Sequence, residues 1–230
     1  IAAVDPEADL VIGRIGRGAD QSFWGVEIPY HINPRYEARK ECRVSDAPGP
    51  GVSWWHTIED TFDKIDFDGL MRDGEMVRSL LEGLLTNAAL PADFEGYFHT
   101  WNQYLEALKA FEEHRVAIEE IQSLFKAVVT RCQELDTPVI SEAHLMDHNR
   151  LCRLVGGVLG RLMHSSGSAY EQDTSFAYGP LQLLAASAKA DHQNSPADWH
   201  LFYHTTFIRQ RNRMVTELRK LLDRLDQEFL

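Results

Sequence analysis

Ten histidines and three cysteines stand in a chain of 230 residues, and several fall at spacings that chemistry uses. His144, His148 and Cys152 lie at i, i+4 and i+8, so on a helix successive members are one turn apart on one face. A neutral imidazole placed there can bind a metal ion or a haem iron, and a thiol one turn on reaches the edge of the group it holds. His200 and His204 form a second i, i+4 pair, and His56 follows two tryptophans in Trp54-Trp55-His56. Arg209, Arg211 and Arg213 form a basic cluster whose guanidinium forks match carboxylates. Each has a plainer reading. A histidine on an apolar helical stripe is more often a hydrogen-bonded core residue than a ligand, and spaced arginines are more often a solvated face. Nucleophilic catalysis has little behind it, since the chain holds no GxSxG, no Gly-rich phosphate loop and no HExxH.

The elements that must position these residues are helices. Tyr97, Trp101, Tyr104, Leu108, Phe111, Ile118, Ile121, Phe125, Val128 and Cys132 recur at three-and-four spacing, which predicts one helix from about Asp93 to Leu135. Unbroken, it would be about 60 Å long. Thr137-Pro138 ends it, because proline has no amide hydrogen to continue the ladder. A second helix is expected from Ser141 to Met163, carrying Leu145, His148, Leu151, Cys152, Val155 and Leu159 on one face. A short helix follows Pro180, and Ser195-Pro196-Ala197-Asp198 starts a last one with a serine cap and a first-turn proline. Residues 1–53, rich in Gly, Pro, Arg and Asp, read as an irregular arm. The expectation is one mostly α domain over 1–230, with residues 54–230 forming a helical bundle behind that arm.

Composition narrows the partners. Twenty-three Lys plus Arg against 35 Asp plus Glu give a net charge of −12, which repels nucleic acid and anionic lipid. No run approaches the roughly 18 apolar residues of a membrane span. The opening residues lack the basic-then-apolar layout of a signal peptide. Three cysteines are too few for a secreted disulfide framework, so a cytoplasmic protein is expected.

The stretch Asp147-His148-Asn149-Arg150-Leu151-Cys152-Arg153-Leu154-Val155-Gly156, with Ser165-Ser166-Gly167 beyond it, resembles the proximal-histidine region of tryptophan 2,3-dioxygenase. Ser53-Trp54-Trp55-His56-Thr57-Ile58-Glu59-Asp60 resembles the distal helix of the same superfamily, the histidine-ligated haem-dependent aromatic oxygenases. The His-x-x-x-Cys spacing is similar to that of bacterial members that hydroxylate tyrosine or 3-methyl-L-tyrosine in antibiotic biosynthesis. The chain departs from the dioxygenases in a loop poorer in glycine, which favours ring hydroxylation over tryptophan cleavage.

The resemblance implies a tryptophan 2,3-dioxygenase-like helical fold and a haem bound through His148, held by a single thioether to Cys152. It makes His56 the distal acid/base and Trp55, Ser165, Ser166 and Gly167 the substrate pocket. Arg115, or one of the C-terminal arginines, would clamp the carboxylate of a small aromatic amino acid, and His114 would be a second, exchangeable iron ligand. The oxidant would be peroxide or dioxygen, and a homo-oligomer is compatible with it.

A rival reading puts His56, His144 and His148 on Zn²⁺ or Ni²⁺ and resembles the layout of DinB-like thiol transferases. A third treats all these residues as core and surface of a non-enzymatic interaction module.

Overall fold

The computed structural model describes residues 57–91, 93–136, 138–139, 141–165, 181–188 and 199–229. The arm 1–53, together with Trp55, His56, Ser166 and Gly167, lies outside them. The described residues are helical with no strand among them, and they fall into two compact units, 57–87 and 88–229. No described helix is long and apolar enough to cross a membrane.

The smaller unit holds α1 (Phe67–Thr86), which follows a 3-10 turn at Phe62–Lys64. Asp66 starts the helix by accepting from the Gly69 amide at 3.2 Å, satisfying a donor that the first turn leaves open. None of the helix's residues is buried.

The larger unit is a bundle of α2 (Phe94–Leu108), α3 (Arg115–Leu135), α4 (Glu142–His164) and α6 (Trp199–Glu228), with the short α5 (Gln182–Ala188) against α6. Cross-helix contacts give their directions. Gln122 donates to Asn102 at 2.7 Å and Lys109 pairs with Glu119 at 3.9 Å, so α2 and α3 are antiparallel. His114 meets Phe207, Glu120 takes both Arg211 and Arg219, and Arg131 meets Asp226 at 2.8 Å, so α3 and α6 run parallel. Arg150–Glu228 and Arg161–Glu217 set α4 antiparallel to α6.

The single 60 Å helix expected over 93–135 is therefore two helices, and the chain turns back at 109–114 through a 3-10 turn at Glu112–His114. Folding back lets the stripe bury itself: the Trp101 and Phe125 rings pack 4.5 Å apart and Phe98 and Phe125 5.4 Å apart. One long helix would leave that stripe in water. The core combines Trp101 and Leu105, Ile118, Ile121, Phe125 and Val128, Leu151 and Leu159, and Phe207, Leu218, Leu221 and Leu225, all fully buried or nearly so. Burial of each such side chain contributes roughly 1.5–3 kcal/mol.

Helix α4 starts where the sequence places it. Ser141 is extended, and its hydroxyl accepts from the His144 amide at 3.2 Å. Ahead of α5, Leu181 sits at a left-handed φ of 57°, which costs an L-residue roughly 1–2 kcal/mol. It is held there by a 2.8 Å bond from its amide to the Met163 carbonyl and by burial of its side chain.

Candidate functional site

Position on α4 decides what His148 can do. The helix turns its His148 edge toward the C-terminus of α3 and the segment 88–90, which runs into Pro91. A residue before proline is steered away from helix, so the backbone groups of 88–90 have no ladder to join. Side chains of α4 take their place. His148 Nε2 lies 2.8 Å from the Leu90 carbonyl, Asn149 Oδ1 accepts from the Leu90 amide at 2.8 Å, and Asn149 Nδ2 donates to the Ala88 carbonyl at 2.8 Å. The other ring nitrogen, Nδ1, is 2.8 Å from Asp136 Oδ1 at the end of α3. All four polar side-chain atoms of His148 and Asn149 are engaged.

Cys152 stands where its spacing predicts, one turn on, with Sγ 3.5 Å from His148 Nε2. Partial burial drives its thiol up to about 11, with Asp136 adding and Arg153 opposing. Cys132 on α3 is fully buried, and burial with nearby Cys152 and Asp136 drives it up to about 12. Both thiols are protonated at neutral pH. For His148, partial burial works against the charged ring, but the Leu90 carbonyl and Asp136 outweigh it and hold the ring above its ordinary value.

The remaining expected residues lie elsewhere. His114 begins α3 and is buried, its ring stacked 3.8 Å from that of Phe207. Arg115 is exposed and paired with Glu112 at 2.7 Å. Ser165 caps the C-terminus of α4, buried, its carbonyl taking Arg213 at 2.6 Å. His114 and Asp136 flank the 21 residues of α3, and His148 and Ser165 are separated by 16 residues of α4, spans of about 33 and 25 Å. His148 and Cys152 are thus together at one end of the bundle, while His114, Arg115 and Ser165 are at the other. One pocket shared by these five does not form from the described residues, because straight helices hold its parts too far apart. Arg213 is spent on the α4 terminus and Arg211 on Glu120, so two of the three basic residues bind α4 and α3.

A haem asks for an unprotonated ring nitrogen facing open space wide enough for a macrocycle. Nε2 instead has the Leu90 carbonyl at 2.8 Å, where an iron atom would have to bind, and the Cys152 sulfur at 3.5 Å. His148 as arranged does not fit the group. A small hollow of about 10 Å³ lies at the far end, lined by Leu162, Ser165, Leu181, Leu184, Gln210 and Met214, room for about one water and far below the roughly 300–1,000 Å³ of small-molecule sites. His144 is half-buried and its Nδ1 finds no partner among the described residues. Among those residues, no three His, Cys, Asp or Glu side chains gather as metal ligands.

Asn149 and Asp136 were invisible as site residues in the sequence. An asparagine inside a helix is a poor helix former, and that is the signal that its side chain has another task. No protein-family model, curated protein or solved structure matches the chain.

Proposed function

We propose that the chain is a helical interaction scaffold and that the polar residues of α4 serve its architecture. The observation that carries this reading is the complete engagement of His148 and Asn149 with Asp136 and the backbone of 88–90. A surface that a protein partner can use is present on α1. Phe67, Leu70, Met71, Leu81 and Leu85 follow helical spacing along one stripe and are open to solvent. They form two exposed apolar patches, at 67–71 and 81–85, with Gly74 and the ion-paired Arg78 between them, and exposed apolar patches mark protein contacts.

The test has two parts. The purified protein should show no Soret band and no stoichiometric metal. It should also bind the dye ANS, and the double variant Leu70→Asp, Leu85→Asp should lose that binding while its circular dichroism stays unchanged. A strong Soret band, or ANS binding indifferent to those changes, overturns the reading.

A second reading is hydroxylation of the ring of an aromatic amino acid on a haem, with peroxide or dioxygen. One observation favours it: α4 ends at a buried Ser165, where the resemblance puts the start of the substrate loop. It requires an iron-binding histidine other than His148 as arranged. The same spectrum decides it, followed by mass analysis of tyrosine, 3-methyl-L-tyrosine and tryptophan after incubation.

A further inference from the structure

Two acceptors face His148. Neither the Asp136 carboxylate nor the Leu90 carbonyl carries a hydrogen to give, so both 2.8 Å contacts are hydrogen bonds only when both ring nitrogens are protonated. The arrangement is that of an imidazolium. A third neighbour behaves differently, since the Cys152 thiol, 3.5 Å from Nε2, can accept weakly from an N–H or donate to a lone pair.

We propose that His148 and Asn149 form a proton-operated clamp on the segment 88–90, closed when the ring is charged and open when it has given one proton to solvent. In the closed state Nε2–H holds the Leu90 carbonyl. When the ring is neutral, the carboxylate keeps the proton on Nδ1, and the bare Nε2 repels the carbonyl oxygen. The Cys152 S–H then turns to that lone pair, so the ring stays satisfied while the segment is released. The His-x-x-x-Cys spacing supplies the second position of this switch.

The groups facing the ring are few. Asp136 comes from α3, with Cys132 of the same helix near it. Cys152 comes from α4, whose Asp147 and Arg153 lie on exposed positions and whose His144 is one turn earlier. The segment 88–90 brings the Leu90 carbonyl and no titratable side chain. Both thiols stay protonated through the neutral range, being pushed up to about 12 and about 11. Of the groups in contact with the Leu90 carbonyl and Asp136, His148 is therefore the one that changes charge there, and with its pKa raised the clamp is fully closed below about 6.5 and opens as pH climbs through the higher folded value. Ala88 is the first residue of its compact unit in this part of the chain, so the clamp holds the backbone where that unit begins.

The experiment is NMR on the full chain, following the His148 ring and the exchange of the Leu90 amide across the neutral range. That amide is bonded to Asn149 Oδ1, and opening exposes it. Between about 6.5 and the higher folded His148 value its exchange should gain up to about tenfold per pH unit beyond the ordinary hydroxide dependence, and the extra gain should level off above that value. His148→Gln, neutral at all pH, should abolish the extra dependence. Cys152→Ala removes the alternative donor, so it should move the His148 titration to higher pH, and it keeps the proposal testable if the glutamine variant fails to fold. Leu90 exchange that follows hydroxide alone through the His148 titration overturns the clamp. So does a ring titrating at or below its ordinary value.

Discussion

Removing one ring tests the turn-back between α2 and α3. Phe125 is fully buried, with Trp101 at 4.5 Å and Phe98 at 5.4 Å between ring centroids, both tilted. Phe→Ala in a core costs about 3–5 kcal/mol through lost transfer energy and the cavity left behind. Two aromatic neighbours, each worth about 0.5–1.5 kcal/mol beyond area, place Phe125→Ala in the upper part of that range, about 4–5 kcal/mol. A domain is stable by only about 5–15 kcal/mol, so the urea midpoint should fall by a large fraction. Phe125→Leu keeps the apolar contact without the ring and should cost about 1–3 kcal/mol. A distance completes the test. Spin labels at positions 102 and 122, on a background without native cysteines, should lie close, because Gln122 and Asn102 touch at 2.7 Å. One continuous helix would separate their backbones by about 30 Å. A cost for Phe125→Ala below about 1 kcal/mol, or labels at the long distance, refutes the packing argument.

Three further outcomes follow from local geometry. Cys132 and Cys152 should react slowly with a thiol reagent in the native protein at mildly alkaline pH and rapidly in denaturant, because both are raised by burial, to about 12 and about 11. Equal rates in the two states would count against their placement. Asp93→Ala should cost about 0.5–2 kcal/mol in thermal or urea unfolding by leaving the Gly96 amide without its 2.8 Å partner. Gly96→Ala should fail to yield the roughly 1 kcal/mol that alanine gives in a helix, since the new methyl would stand 2.2 Å from Asp93 Oδ2 and displace the cap.

The sequence made some of this readable and hid the rest for physical reasons. Ser141 and Pro138 bracket the start of α4 with short-range signals, a cap hydroxyl and a missing amide hydrogen, and those are printed in the residues themselves. The turn-back at 109–114 has no glycine or proline, and the apolar stripe passes through Leu108, Phe111 and Ile118 without losing step. Its only local mark is Lys109 followed by Glu112 and Glu113, a charge order that suits one helix end and the next helix start. What decides the turn is the pairing of Trp101 with Phe125, twenty-four residues apart in sequence. For His148, spacing predicted the apolar face and the nearness of Cys152. It could not predict that a backbone carbonyl fifty-eight residues earlier would occupy Nε2, because a carbonyl carries no residue-specific signature.

The parallel pairing of α3 and α6 has a consequence for how the chain is made. Glu120 and Arg211, which lock the two helices together, are 91 residues apart, so that seam closes only after the whole of the intervening chain has been synthesised. Until then Ile118, Ile121 and Phe125 have α2 for cover on one side and nothing from α6 on the other. Contacts of such long sequence separation form slowly, and the waiting surface is apolar. A chain stalled before Trp199 on the ribosome would hold α2, α3 and α4 with their shared seam open, a natural client for chaperones that shield apolar helices until the last segment emerges.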